Sequence, residues 1–475
     1  MDKASIIAQS YQFIPTEEQM AFCREMASFL SKDLNGQCFI LRGYAGTGKT
    51  TSAGALVKAL PRFGLRAVLL APTGRAAKVM STYTGRKALT IHKRIYRKKS
   101  AVGNDLSFQL APNLAEHTLF LVDEASMISD EISVQSGSSL LRDLMEYVYN
   151  RKNCAVVFVG DTAQLPPVGS LDSPALSKPQ LQTEFGLTVH AVELKEVVRQ
   201  EKKSGILANA TMLRKLIHTD KKEKVGLPKF ITKNYKDVFR MNGVKLVEGL
   251  EYAYNKFGIE NSLVVCRSNK SANVYNQQIR SRLLYRDEEL TGGDQIMVVK
   301  NNYFWLPENE SAAFIANGDM ARIRRVRHTE ERYGFRFCEV TLEFLDFPEA
   351  GEVTCKVLLD TLTGETPNLS YEESNKLFEG LNEDYSHLSN KRERFLAIKE
   401  DPYYNALQIK FAYAVTCHKA QGGQWDAVFV DQGYLTDEMV DLDFLRWLYT
   451  GVTRAKKELF LVNFAQNMFT VPLAE

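Results

Sequence analysis

The sequence predicts an α/β fold with two parallel-sheet lobes, and three observations predict it. From Cys38 to Leu119, short apolar runs alternate with helical stretches, the strand–helix–strand rhythm of a parallel sheet. TLFLVDEAS and CAVVFVGD are buried-type strands that each end in an acid, which puts those acids at the carboxyl edge of the sheet, where ligands sit. A second set of the same kind follows: NSLVVCRSNKSANVYNQQIR reads as strand then helix, with DAVFVDQG and ELFLVNF as further strands.

In chain order, CFILRG opens the first lobe as a strand, a helix follows near Thr50 to Leu60, RAVLLAPT is the next strand, and another helix starts at Gly74. Residues 84–117 differ in texture, being basic at the start (RKALTIHKRIYRKKS) and turn-rich afterwards, and read as an inserted subdomain. Residues 301–404 contain ARIRRVRH, FRFCEVTLEF and EVTCKVLLD, whose period-two alternation predicts a small antiparallel barrel or sheet, followed by charged helical sequence. The expected division is therefore 1–83 with 118–192 for the first lobe, 84–117 for the insert, 193–300 with 405–475 for the second lobe, and 301–404 for the barrel insertion.

Size and composition fit this division. At roughly 150 residues per domain, the 475 residues allow about three domains. Apolar residues at 45% and charged residues at 25% exclude a mainly disordered, collagenous or membrane-embedded chain. Lys plus Arg is 60 against 57 Asp plus Glu, so nucleic-acid binding has to come from local charge. The seven cysteines (Cys23, Cys38, Cys154, Cys266, Cys338, Cys355, Cys417) form no C-x-x-C pair, which argues against a disulfide framework or structural zinc and for the cytoplasm. The start, MDKASIIAQSYQF, lacks an export pattern, no apolar run reaches the length of a membrane span, and no long heptad stretch occurs. No membrane partner is expected, and a monomer is the default.

The run Gly43-Tyr-Ala-Gly-Thr-Gly-Lys49-Thr50 follows an apolar strand and opens a helix, the setting in which backbone amides and a helix dipole face phosphates. The nucleotide-contacting set is Gly43, Ala45, Gly46, Thr47, Gly48, Lys49, Thr50 and Thr51, with Lys49 reaching the β and γ phosphates and Thr50 ligating Mg2+. Asp123 would hold the metal, and Glu124 would orient or deprotonate the attacking water. Gln164, in GDTAQLPPV, is a candidate γ-phosphate sensor, stiffened by Pro166 and Pro167. Gln19 presents a two-sided amide suited to adenine. Each motif alone has a plainer reading, as a glycine-rich turn, a solvated acid pair or a surface amide. Together they indicate hydrolysis of a nucleoside triphosphate.

With GYAGTGKT, APTGRAAKVM, TIH, VDEAS, GDTAQLPPV, LKEVVRQ, YAVTCHKAQGGQWDAVFV and LYTGVTRAKKEL in this order, the chain resembles superfamily 1 helicases, most of all the RecD/Dda-like branch that moves 5′ to 3′ on DNA. The motifs run from about Gln19 to Leu459. The resemblance implies two RecA-like P-loop NTPase lobes that clamp ATP between them, a pin hairpin in the 84–117 insert, and an SH3-like β-barrel at 301–404. It implies that Arg199 and Arg454 reach the triphosphate as arginine fingers. It places Pro72, Thr73, Lys78, His92, Thr416, His418 and Lys419 on the DNA strand. Ser268, Asn269 and Asn276 occupy the corresponding segment of the second lobe, where helix capping and surface amides are the alternative reading. Many relatives carry Glu where this chain has Gln424, so a ribose contact there would be a neutral amide bond. Phe108 is placed where bases part, with a core role as the alternative, and ARIRRVR could track phosphates or be a solvated basic strand.

The activity implied is an ATP-dependent DNA helicase using Mg2+, with single-stranded DNA, duplex junctions, and replication or repair proteins as partners. The alternatives are a protein-displacing translocase and an RNA helicase with the same engine.

Overall fold

The computed structural model describes residues 2–98, 108–132, 137–197, 204–218, 226–306, 315–345, 347, 350–366 and 368–470. The first lobe is laid down by β1 (Gln37–Gly43), β2 (Arg66–Ala71) and β3 (Ala88–Thr90). A two-stranded antiparallel hairpin, β4 (Tyr96–Lys98) with β5 (Phe108–Leu110), then leaves the lobe. The chain returns as β6 (Thr118–Val122), β7 (Cys154–Gly160) and β8 (Thr188–Leu194). These six strands form one all-parallel sheet in the order β3-β2-β6-β7-β1-β8.

Side-chain alternation explains why β6 and β7 read as unbroken apolar runs. Phe39, Leu41, Leu119, Leu121, Val157 and Val159 point into one core, while Cys38, Ile40, Phe120, Val122, Val156 and Phe158 point into another. Both faces are covered, so both sets of positions have to be apolar.

The second lobe begins with β9 (Val238–Met241) and β10 (Ser262–Cys266). The chain then enters a closed barrel made of β11 (Gln295–Val298), β12 (Met320–Arg332), β13 (Phe335–Phe344), β14 (Glu352–Leu358) and β15 (Leu407–Phe411). It re-enters the lobe as β16 (Ala414–Thr416), β17 (Trp425–Asp431) and β18 (Ala455–Val462), giving a parallel sheet of order β16-β10-β17-β18-β9. Between β14 and β15 the helices Tyr371–Asp384 and Lys391–Lys399 pack on the barrel through Leu377, Leu381 and Ile398.

The expected boundaries shift in three places. Ala88–Thr90 pairs with Leu69–Ala71, and Ile91 and Ile95 join the core around Phe120, so this part of 84–117 belongs to the first lobe. The first lobe's last strand, which was not foreseen, runs to Leu194. The barrel recruits β11 from before residue 301 and β15 from after residue 404, because closing five strands requires partners from both flanks of the insertion. Three of the four ARIRRVR arginines meet carboxylates: Arg324 meets Glu343 at 2.6 Å, Arg327 meets Glu339 at 2.9 Å and Arg322 meets Glu260 at 3.3 Å, while Arg325 is exposed. That pairing matches the reading of a solvated basic strand.

Candidate nucleotide and nucleic-acid site

The glycine-rich loop joins β1 to the helix Lys49–Ala59, with Gly46 at φ 81° and Gly48 at φ 85°, a left-handed backbone that favours glycine. At Gly43 a Cβ would lie 2.6 Å from Thr47 Oγ1 and 2.9 Å from Lys49 Cγ, so the loop closes on itself only without a side chain there. Lys49 Nζ donates to the Tyr44 carbonyl at 3.0 Å and lies 3.9 Å from Asp161 Oδ2. Thr50 is exposed at the mouth of the loop.

The ends of β6 and β7 bring the acids beside this loop. Asp123 is fixed from two sides: Tyr83 Oη donates to Oδ2 at 2.6 Å and the Glu124 amide donates to Oδ1 at 2.8 Å. Glu124 has φ 49°, a strained conformation for a non-glycine residue. Burial pushes its carboxyl above the ordinary range, and the facing Arg454 guanidinium opposes that rise. Gln164 is 5% exposed, and its Oε1 has no partner among the described residues. Gln19 is fully buried; its Oε1 accepts from the Thr16 amide at 3.1 Å in a capping box, while its Nε2 has no partner among the described residues.

The second lobe reaches this edge through the helix Leu442–Val452. Arg454, just past its end, is 3% exposed; Nε donates to the Thr450 carbonyl at 3.0 Å and Nη1 to the Gly423 carbonyl at 3.1 Å. Nη1 also lies 3.9 Å from Glu124 Oε1, so the two lobes meet across the acids. Arg199 lies outside the described residues. Gln424 is exposed, and its carbonyl accepts from Arg75 at 3.4 Å.

The candidate DNA contacts fall into two groups. In the first lobe, Thr73 caps the helix Gly74–Thr84, Pro72 precedes it, and Lys78 donates to the Leu345 carbonyl of the barrel. His92 is half-buried and pushed down to about 4 by burial, so near neutral pH its ring makes contacts as a neutral group. In the second lobe, Asn269, Thr416 and Lys419 line one groove together with Lys410, and His418 is exposed beside it. Ser268 caps the helix Asn269–Gln278. Asn276 is 3% exposed and holds the Phe411 and Ala414 carbonyls and the Ala414 amide. Asn276 thus borders the same groove while both its amide hydrogens are held by backbone carbonyls. The backbone of Phe108 lies in β5, and its side chain lies outside what the structure describes.

Burial, with the neighbouring Lys410 charge adding to it, pushes Lys419 down to about 8. A strand phosphate at this groove would bind the protonated amine, so single-stranded DNA affinity is expected to fall as pH rises through about 8. Lys419→Arg should flatten that dependence in a titration followed by fluorescence anisotropy between pH 7 and 9.

Sequence reasoning missed several contacts that join the parts. Arg75 stacks 4.0 Å over the Trp425 ring, Gln421 Nε2 donates to the Leu165 carbonyl at 2.8 Å, and Tyr83 supports Asp123 from 40 residues away. Arg75, Trp425, Leu165 and Gln421 lie inside recognised motifs, but the motifs do not say what these side chains touch; Tyr83 lies outside them and carries no local signal.

Residues 16–226 match the AAA domain family, and residues 411–462 match the UvrD-like helicase C-terminal domain. The chain is 32% identical over 198 residues to the ATP-dependent RecD2 DNA helicase of Deinococcus radiodurans, an alignment covering 42% of this chain and 24% of that protein. The chain thus spans about a quarter of that relative's length. It is 25% identical over 453 residues to the ATP-dependent DNA helicase dda of Enterobacteria phage T4, covering 89% of this chain and 93% of that one. Among solved structures, a Bacteroides Pif1 helicase in complex with ADP-AlF3 and single-stranded DNA aligns over 97% of this chain and 95% of its own, with TM-score 0.48 and 15% identity.

Proposed function

We propose that the chain is an ATP-dependent DNA helicase of the RecD/Dda-like branch of superfamily 1, one that moves 5′ to 3′ on single-stranded DNA and separates duplex strands by cyclic closure of its lobes, a reading supported by its similarity to RecD2 and Dda helicases. The carrying observation is the convergence at one seam: Lys49, Asp123, Glu124 and Gln164 stand at strand ends of one lobe, and Arg454 of the other lobe lies 3.9 Å from Glu124.

The residues fit a nucleoside triphosphate. The loop is a cradle that a Cβ at Gly43 would fill, and two buried amides, Gln19 Nε2 and Gln164 Oε1, have polar atoms left over for a ligand. Gln19 would read the base, and the amides of Gly46 to Thr51 with Lys49 would bind the phosphates. Thr50 and Asp123 would hold Mg2+, whose charge would neutralise the phosphate oxygens. Glu124, its carboxyl made more basic by burial, would take the proton of the attacking water. Gln164 would orient that water or sense the γ-phosphate, and Arg454 with Arg199 would stabilise the charge that builds on the transferred group.

Closure driven by these contacts supports stepping only if strand grip differs between the open and closed lobes. The first-lobe group (Pro72, Thr73, Lys78, His92) and the second-lobe group (Thr416, His418, Lys419, with Asn269 and Ser268 at the helix start) supply two separate grips. Phe108 on the hairpin would part the bases. The chemistry suits partners with an unpaired 5′ tail and a duplex junction. Seven unpaired, buried cysteines support a reducing compartment such as the cytoplasm, and no helix among the described residues is long and apolar enough to cross a membrane.

The test is strand separation on forked duplexes carrying either a 5′ or a 3′ single-stranded tail. ATP-dependent unwinding of the 5′-tailed fork alone, with hydrolysis strongly stimulated by single-stranded DNA, is expected. Unwinding of only the 3′-tailed fork would reverse the polarity, and a rate of hydrolysis indifferent to DNA would remove the translocase reading.

A further inference from the structure

Two consecutive residues of the helix Leu442–Val452 carry hydroxyls into the opposite lobe. Tyr449 is 1% exposed and Thr450 is fully buried. The Ala45 amide, inside the glycine-rich loop, donates to Tyr449 Oη at 2.9 Å, and that hydroxyl donates to Asp161 Oδ2 at 2.7 Å. Asp161 is in turn fixed by the Ala163 amide at 2.9 Å and lies 3.9 Å from the Lys49 ammonium. One residue on, Thr450 Oγ1 accepts from the Leu165 amide at 2.9 Å, next to Gln164. The carbonyl of the same Thr450 accepts from Arg454 Nε at 3.0 Å.

A phenol at a buried position costs free energy that a phenylalanine would not, unless both its donor and its acceptor capacity are used. Here both are used, and both bonds go to nucleotide-side loops rather than to the helix's own lobe. Thr450 likewise spends its hydroxyl on the loop bearing Gln164 and its carbonyl on Arg454. The arginine's position is therefore tied, through one residue, to the loop that carries Gln164, and through the adjacent residue to the loop that carries Lys49.

We propose that Tyr449 and Thr450 are positioning residues for phosphoryl transfer: their hydroxyls register the second lobe against the phosphate loop and the Gln164 loop, and thereby deliver Arg454 to the reacting group. Neither side chain touches substrate in this role. A displacement of the phosphate loop at Ala45, or of Gln164 through Leu165, is passed directly to the helix that ends in the arginine. The proposal rests on the ATP-hydrolysis reading of the seam.

The experiment is steady-state hydrolysis by the full chain with saturating single-stranded DNA, comparing Tyr449→Phe, Arg454→Ala and the double variant. Tyr449→Phe is expected to lower kcat by about 10-fold while KM for ATP moves less than about 3-fold, since the hydroxyl acts on positioning and not on binding. The double variant is expected to be no slower than Arg454→Ala alone within about 2-fold, because a residue acting through the arginine has nothing left to position. Multiplying losses in the double variant, a shift in KM alone, or an unchanged kcat would each overturn the proposal. Should Tyr449→Phe lose its cooperative thermal unfolding, Thr450→Val is read by the same cycle with the same criteria. Failure of the wild-type chain to hydrolyse ATP would instead defeat the functional reading, which keeps the two failures apart.

Discussion

Lys49→Ala is expected to reduce ATP hydrolysis by at least about 10²–10³-fold, the loss that follows removal of one preorganised charge or donor from a transition state. The lysine is the one cationic side chain of the glycine-rich loop, and among the described residues its ammonium bonds the Tyr44 carbonyl at 3.0 Å and stands 3.9 Å from Asp161. The fold should survive. Asp161 keeps its hydrogen bonds from Tyr449 at 2.7 Å and the Ala163 amide at 2.9 Å, and lysine at 3.9 Å is beyond hydrogen-bonding reach of the acid. The measurement is phosphate release with and without single-stranded DNA, beside a thermal melt. Near wild-type turnover in a folded variant would remove the phosphate-loop assignment.

Arg454→Ala carries the second large effect, a fall in kcat of about 10³-fold, the lower end of what an arginine finger contributes. The guanidinium is buried and forked between the Thr450 and Gly423 carbonyls, with Glu124 at 3.9 Å, so its location does not depend on a mobile surface side chain. Alanine leaves the Gly423 carbonyl without its donor, while the Thr450 carbonyl keeps the Thr453 hydroxyl at 3.0 Å, and the loss should cost about 1–3 kcal/mol of stability. Nucleotide binding should persist, because Lys49 and the loop amides remain. Arg454→Lys should rescue little, since a single ammonium cannot reproduce the planar fork. Equilibrium binding of a fluorescent nucleotide alongside single-turnover hydrolysis separates these effects. Loss of binding in step with loss of rate would make Arg454 a ligand for the ground state instead of a finger.

The nucleotide side of the seam was legible in the sequence because its residues sit at fixed offsets from strand ends. GYAGTGKT, VDEAS and GDTAQLPPV each follow an apolar run, and a parallel sheet brings such ends to one edge. The second lobe's DNA group was less legible. Asn276 stands in the same stretch as Ser268 and Asn269, yet its amide bridges the buried backbone of Phe411 and Ala414, some 135 residues away. Nothing local reveals that an amide bordering the groove also brackets a strand. Boundaries failed for a related reason: Ala88–Thr90 looks like the basic insert it adjoins, but it is claimed by pairing with Leu69–Ala71.

By itself the sequence determined the two α/β lobes, the glycine-rich loop and the acids at the neighbouring strand ends, because hydrophobic period, glycine placement and strand-end chemistry are properties of neighbouring residues. Tertiary structure alone decided how the lobes are joined: Tyr449 on Ala45 and Asp161, Thr450 on Leu165, and Arg75 on Trp425. A hydrogen bond or ring contact between residues hundreds of positions apart leaves no mark on either local pattern; it exists only once packing has set both ends within about 3–4 Å of each other.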